Sequence, residues 1–251
     1  MNDAAPRKRD EGGTATSNVA DELVRMILGE LTPGASLPSE AELALQHGVS
    51  RVTVREAVKM VAGRGLLELA RGRRAVVREP SGVALGEYMT WILQHDPKGV
   101  FDLVEVRMSL EVQSVGLAAK RATRPAIAAI ESTLAAMREA AAAMDEADGD
   151  EDAELAFHRA DVGFHEAIAL AGGNRILVSL FEAMAQSLQR SFFMTRRGRQ
   201  LRGQTSCDTI MSHQRILNCI KIGDVPGAEA AMRVHLTDAA QDMRAALVGT
   251  F

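Results

Sequence analysis

The sequence predicts a mainly α protein in two parts, a small N-terminal module of helices and a hairpin joined to an antiparallel helical bundle of about seven helices. Three observations carry that reading. Aromatic residues are only 4% of the 251, while Ala, Leu and Met are plentiful, a composition that favours helix over sheet. Between Leu37 and Arg78, helix caps, a glycine turn, an apolar stripe and a run of basic residues fall close together. After residue 85, long amphipathic stretches alternate with short breaks, most of them bearing Gly or Pro.

Residues 1–16 are polar, charged and rich in Gly, Thr and Ser, and are expected to form a disordered arm because they hold too little apolar surface to offset the entropy of ordering. A first helix is predicted from Asn18 to about Leu31, with Leu23, Met26 and Ile27 on one face, stopped by TPGASLP. A second opens at PSEAELA, where Ser39 caps and Glu42 reaches back, and ends near Gly48. A third begins after Ser50 as N-cap and turns Val54, Ala57, Val58 and Val61 inward. Its Arg51, Arg55 and Lys59 follow one another every fourth residue and form an outward basic stripe. LLELARGRRAVVRE then reads as two short strands around a turn at Gly72.

Charge is unevenly spread. From Ser50 to Arg78 eight basic residues face only Glu56 and Glu68, so this segment carries +6 in a chain of net −4, leaving −10 elsewhere. Such a local field suits a phosphate-binding surface whatever the total charge. Two short helices with a glycine-bearing turn, basic residues at the start of the second, and a hairpin make the winged helix-turn-helix pattern. A solvated basic helix beside an unrelated hairpin gives no reason for caps, turn, inward stripe and charge to coincide.

Residues 37–58, LPSEAELALQHGVSRVTVREAV, closely resemble the signature of the GntR family of bacterial transcription regulators, L-P-S-E-x-x-L-A followed by G-V-S-R-x-T-V-R-E-A. The resemblance implies that Ser50, Arg51, Thr53 and Arg55 touch double-stranded DNA, and that Arg71 and Gly72 do so from the wing. The chemistry agrees, since Ser and Thr at a helix start bind phosphate and arginine forks match guanine O6 and N7. Two departures stand out. Ala41 replaces a DNA-contacting arginine, and in the wing Ala70 replaces a basic residue while Arg74 stands where a second glycine belongs.

EPSGVALGE carries Pro and Gly and is read as a linker, so that the expected boundaries are 17–79 for the DNA-binding module, 80–85 for the linker and 86–249 for the bundle. Helices are expected at about 84–95, 99–122, 125–145, 151–171, 174–196, 206–222 and 226–248. In FHRADVGFH, residues 157–165, His158, Asp161 and His165 share one helical stripe, and His213 and His235 fall in the last two helices. Asp161 and His165, one turn apart, can chelate a divalent ion from one helix while two others supply imidazoles. From spacing alone, metal ligation and ordinary hydrogen bonding of partly buried histidines are both open.

RMSLE, LAAKRAT, DVGFHEAIALAGGN, HQRILNCIKIGD and MRVHL, in that order, resemble the FCD ligand-sensing domain that accompanies GntR-type DNA readers of the FadR subfamily. That resemblance implies one Asp and three His as metal ligands, here Asp161, His165, His213 and His235, with zinc the expected ion and nickel or manganese the alternatives. It also points to Arg107 as a carboxylate-binding residue, against the reading of Arg107 and Glu111 as a surface pair one turn apart. Asn174 is placed at the rim of the same cavity, or as a helix cap. His158 is left outside the ligand set, as a second-layer or surface residue.

The expected function is therefore a repressor that binds an inverted-repeat operator as a homodimer and responds to a small organic acid, such as a sugar acid. The alternatives are a metal-dependent hydrolase, for which His95-Asp96 offers a weak hint, and a regulator without a functional metal. No apolar run long enough to span a membrane and no signal peptide are read, so a cytoplasmic location is expected. Cys207 and Cys219 have neither metal-site nor disulfide spacing and are read as packing residues.

Overall fold

The computed structural model describes residues 14–70, 72–79, 82–95, 99–146 and 150–248. They form two compact units divided after residue 81. The first holds α1 (Ala15–Gly29), α2 (Glu40–His47), α3 (Arg51–Gly63), β1 (Leu67–Glu68) and β2 (Val76–Val77). The second holds α4 (Val83–His95), α5 (Gly99–Arg121), α6 (Arg124–Glu146), α7 (Glu151–Gly172), α8 (Arg175–Leu201), α9 (Ser206–Ile222) and α10 (Val225–Val248). No helix among the described residues is long and apolar enough to cross a membrane.

In the first unit α1 starts earlier than expected, because Thr14 Oγ1 accepts from the backbone N of Ser17 and caps it. Residues 14–16 therefore belong to the folded module, and the rest of the expected arm lies outside the described residues. The capping box at Ser39 and Glu42 and the Ser50 cap form as predicted. Val54, Ala57, Val58 and Val61 are buried against Val19, Leu23 and Ile27 of α1 and Leu43 of α2. β1 and β2 pair antiparallel, Leu67 with Val77 and Glu68 with Val76, and Gly72 takes the positive φ of 75° that the connecting turn requires. A further bridge joins Ser36 to Val76, so the segment before α2 also pairs with the wing.

The second unit is the seven-helix antiparallel bundle. Its main core joins Val112 and Val115 of α5, Ile130, Leu134 and Met137 of α6, Phe157, Phe164 and Ile168 of α7, Ile216 and Leu217 of α9, and Met232 and Leu236 of α10. Phe181, Met184 and Leu188 of α8 form a smaller cluster with Leu103 of α5 and the flank of α4.

One expectation about glycine is corrected, and two other glycines serve close packing. At the start of α4, which begins at Val83 against an expected 84, a methyl group at Gly82 would collide with the Ser179 carbonyl, and one at Gly86 would lie 2.8 Å from the Ala183 carbonyl. α8 does not stop at residue 196 but runs to Leu201, with Gly198 inside it. A side chain at Gly198 would fall into the Asp242 carbonyl, so α8 and α10 meet backbone to backbone. Cys219 is half-buried against the core, whereas Cys207 is exposed and does not pack as expected.

Alanine normally stabilises a helix interior over glycine by about 1 kcal/mol. Gly198→Ala should do the opposite here, lowering the stability of the bundle by about 1–3 kcal/mol through overpacking. Denaturant unfolding measures this, and an unchanged or raised midpoint would contradict the close α8–α10 contact.

Candidate metal centre and DNA-reading face

α7, α9 and α10 carry His165, His213 and His235 into one place inside the bundle. All three imidazoles are buried, and one ring nitrogen from each lies within 4.8 Å of the others. His165 Nε2 is 3.2 Å from His235 Nε2, and Asp161 Oδ1 is 3.2 Å from His213 Nε2. The structure thus brings together the four side chains singled out as ligands. The rings are wedged by aromatic neighbours, the Phe164 ring standing edge-on to His213 with centroids 4.4 Å apart.

The protonation pattern follows from the outer partners. A backbone carbonyl only accepts, so His213 Nδ1, 2.8 Å from Thr209 O, carries a proton, and Nε2 is the nitrogen left to face an ion. That Nε2 is fully buried and lies 3.2 Å from Asp161 Oδ1 without hydrogen-bond geometry, so the two atoms stand as a pair of ligands to one ion would. His165 Nδ1 approaches Glu111 Oε2 to 2.6 Å, obliquely rather than along a straight N–H···O line, and the other carboxylate oxygen of Glu111 accepts from Arg107 Nε at 2.5 Å.

Burial works against charge on Glu111, but Arg107 and His165 outweigh it and hold the carboxyl down to about 2. Burial likewise opposes the Asp161 carboxylate, and the His213 contact with the neighbouring imidazoles keeps it well below the usual carboxylate range. His235 is pushed well below the ordinary histidine range by burial and by its two neighbouring imidazoles, which leaves it neutral as a metal ligand must be. Three imidazoles and a carboxylate are a donor set that zinc, nickel or manganese accepts.

Beside the imidazoles lies a cavity of about 40 Å³, lined among others by Arg107, His158, Asp161, His165, Thr195 and Arg199. Arg107 and Glu111 are no surface pair: their side chains are 8% and 3% exposed. His158 is buried too, and lines the cavity rather than the surface. Asn174 does not line it. Its Oδ1 accepts from the backbone N of Ile176 at 3.1 Å and of Leu177 at 3.3 Å, capping α8. Sequence reasoning passed over Glu111, Thr195 and Arg199. Only Glu111 left a signal, its spacing of one turn from Arg107.

In the first unit, Arg51, Arg55 and Lys59 are exposed along α3, opposite its buried valines. With Gly72, Arg73 and Arg74 of the wing they line a cleft of about 510 Å³. Arg74, where a glycine was expected, therefore adds its charge to that cleft, while Arg71 lies outside the described residues. Ser50 and Thr53 bond each other at the start of α3, Oγ to Oγ1 at 2.8 Å. Arg55 is held by Glu40, with Nη2 2.6 Å from Oε2, and Arg74 lies 3.5 Å from Glu42.

Comparison with known proteins places this geometry. Residues 15–77 match the bacterial regulatory proteins of the gntR family, and residues 102–238, more than half the chain, match the FCD domain. The chain belongs to the GntR family. Among the relatives of this GntR protein, the HTH-type transcriptional regulator LutR of Bacillus subtilis (strain 168) is 33% identical over 84% of the chain and 92% of its own length. The putative L-lactate dehydrogenase operon regulatory protein of Escherichia coli (strain K12) is 32% identical, covering 88% and 83%. A solved Streptococcus agalactiae GntR structure shares 28% identity and superposes with a TM-score of 0.65 over 89% of this chain and 97% of its own. The protein is thus a transcription regulator and not an enzyme. The hydrolase alternative falls with that assignment: His95 merely ends α4, and Asp96 lies outside the described residues.

Proposed function

We propose that this GntR protein is a cytoplasmic repressor that grips an inverted-repeat operator as a homodimer and lets go when a small carboxylate occupies a metal-containing pocket in its FCD domain. The observation that carries the sensing half is the convergence of three buried imidazoles within 4.8 Å beside a cavity that Arg107 also lines. Asp161, His165, His213 and His235 hold the ion, zinc in preference to nickel or manganese. When bound, it supplies a Lewis-acid seat for carboxylate and hydroxyl oxygens.

Arg107 supplies the second grip. A guanidinium has five N–H donors, so Arg107 gives Nε to Glu111 and offers others to an incoming carboxylate. Size narrows the effector. A cavity of about 40 Å³ holds roughly one or two waters at the liquid share of about 30 Å³ each, which favours a small acid over a six-carbon sugar acid. The Escherichia coli relative is named for an L-lactate dehydrogenase operon, and a 2-hydroxy acid offers the two adjacent oxygens such a site favours.

For the DNA half, Arg51 and Arg55 read base edges, Ser50 and Thr53 hold phosphate at the start of α3, and Arg71 and Gly72 act from the wing. A guanine or phosphate replaces Glu40 as the partner of Arg55. One α3 reads one half-site, so a palindromic operator requires two copies related by a twofold axis. Release by the acid requires that it bind the non-operator arrangement of the dimer more tightly.

Metal analysis of protein purified without a histidine tag tests the centre: the wild type should carry a divalent ion, and Asp161→Ala and His235→Ala should each lose it. Unchanged metal content in both variants would overturn the centre. Arg51→Ala should weaken operator binding by roughly 1–3 kcal/mol and relax base preference. An equal loss on random DNA would reduce Arg51 to a phosphate contact.

A further inference from the structure

We infer that Glu111 is a positioning residue for the metal centre, fixing which nitrogen of His165 carries the proton so that Nε2 faces the ion. This rests on the metal reading above and deepens it. Arg107 and Glu111 are one turn apart on α5, on the face buried against α7, and Glu111 touches His165 as well as Arg107. A neutral imidazole has a single proton. With Glu111 Oε2 only 2.6 Å from Nδ1, a proton on Nε2 would set the Nδ1 lone pair against a buried carboxylate. With the proton on Nδ1, the same contact becomes attractive, although the N–H meets the carboxylate obliquely, and Nε2 is the nitrogen turned toward the centre, 3.2 Å from His235 Nε2. The carboxylate therefore selects the ligating tautomer and makes that nitrogen more basic. His213 receives the same service from a backbone carbonyl, which no substitution of Thr209 would remove. Among these contacts, His165 alone depends on a side chain that can be changed.

The competing account is that Glu111 only neutralises the buried Arg107. The two differ in sign. If Glu111 positions His165, Glu111→Gln should weaken zinc binding roughly 10–100-fold, while Arg107→Met, which removes a positive charge close to the centre, should leave zinc binding unchanged or tighter. If Glu111 is only a counter-ion, the two single variants should weaken zinc binding alike. Because a lone buried charge endangers folding, the double variant Arg107→Met with Glu111→Leu removes the pair together, a replacement that buried ion pairs commonly tolerate. It should fold and still lose zinc affinity to the same degree.

The experiment is chelator-competition titration of zinc into the full chain, with nitrogen-15 NMR of the His165 ring in the metal-free protein. The wild type should show the Nδ1-protonated tautomer, and the double variant should lose that bias. A folded double variant that binds zinc like the wild type, or that keeps the tautomer, overturns the assignment. Absence of zinc binding in the wild type itself would instead sink the metal reading, and the NMR comparison would still decide the role of Glu111.

Discussion

A cluster of polar side chains buried among leucines, methionines and phenylalanines is the constraint around which the helical domain is organised. Placing an imidazole or a carboxylate away from water costs several kcal/mol unless each polar atom is matched. Here partners come from separate helices, α5 with Arg107 and Glu111, α7 with Asp161 and His165, and α9 and α10 with His213 and His235, while Glu111 Oε2, His165 Nδ1 and His213 Nε2 are close to partners without hydrogen-bond geometry. No single helix could satisfy the set. The close approach of α8 to α10 at Gly198 and the aromatic walls of Phe164 and Phe181 hold the geometry from outside. Packing and polar pairing thus specify the same arrangement.

Much of this could be read from the residues, and the exceptions share a physical cause. Caps are local, so the starts of α2 and α3 were legible in Ser39, Glu42 and Ser50. Glycine is ambiguous, because the same residue marks a break or permits two backbones to touch. Gly82 was taken as linker and Gly198 as a break, and only the helix facing each reveals the contact. The ligand set divides in the same way. Asp161 and His165 are linked by helical spacing, but nothing local joins them to His213 and His235, whose place in two other helices left ligation and ordinary hydrogen bonding both open until the family resemblance favoured ligation. Glu111 was hidden because a pair one turn apart looks identical whether it faces water or a neighbouring imidazole.

The DNA-binding unit follows a different logic. Its basic residues are exposed and several meet acidic partners on the same surface, Glu40 with Arg55 and Glu42 with Arg74. Exposed pairs of this kind contribute little to stability. They keep this surface from concentrating positive charge, and being exposed they can be exchanged for an anionic partner with little loss. The positive excess of the segment then remains available for counter-ion release on DNA.

Charge balance links the buried centre to the class of acid it would take. Arg107 offsets Glu111, and the carboxylates Asp238 and Asp242 are matched by Arg199 and Arg202. Asp161, set among the imidazoles, has no ion pair to an arginine or lysine among the described residues. A divalent cation beside that one carboxylate leaves an excess of positive charge, which a low-dielectric interior also disfavours. On the proposed reading, a bound monocarboxylate would offset that excess. The same accounting makes cation and acid mutually dependent: each corrects the charge left by the other, so occupancy by one should raise affinity for the other by an equal factor.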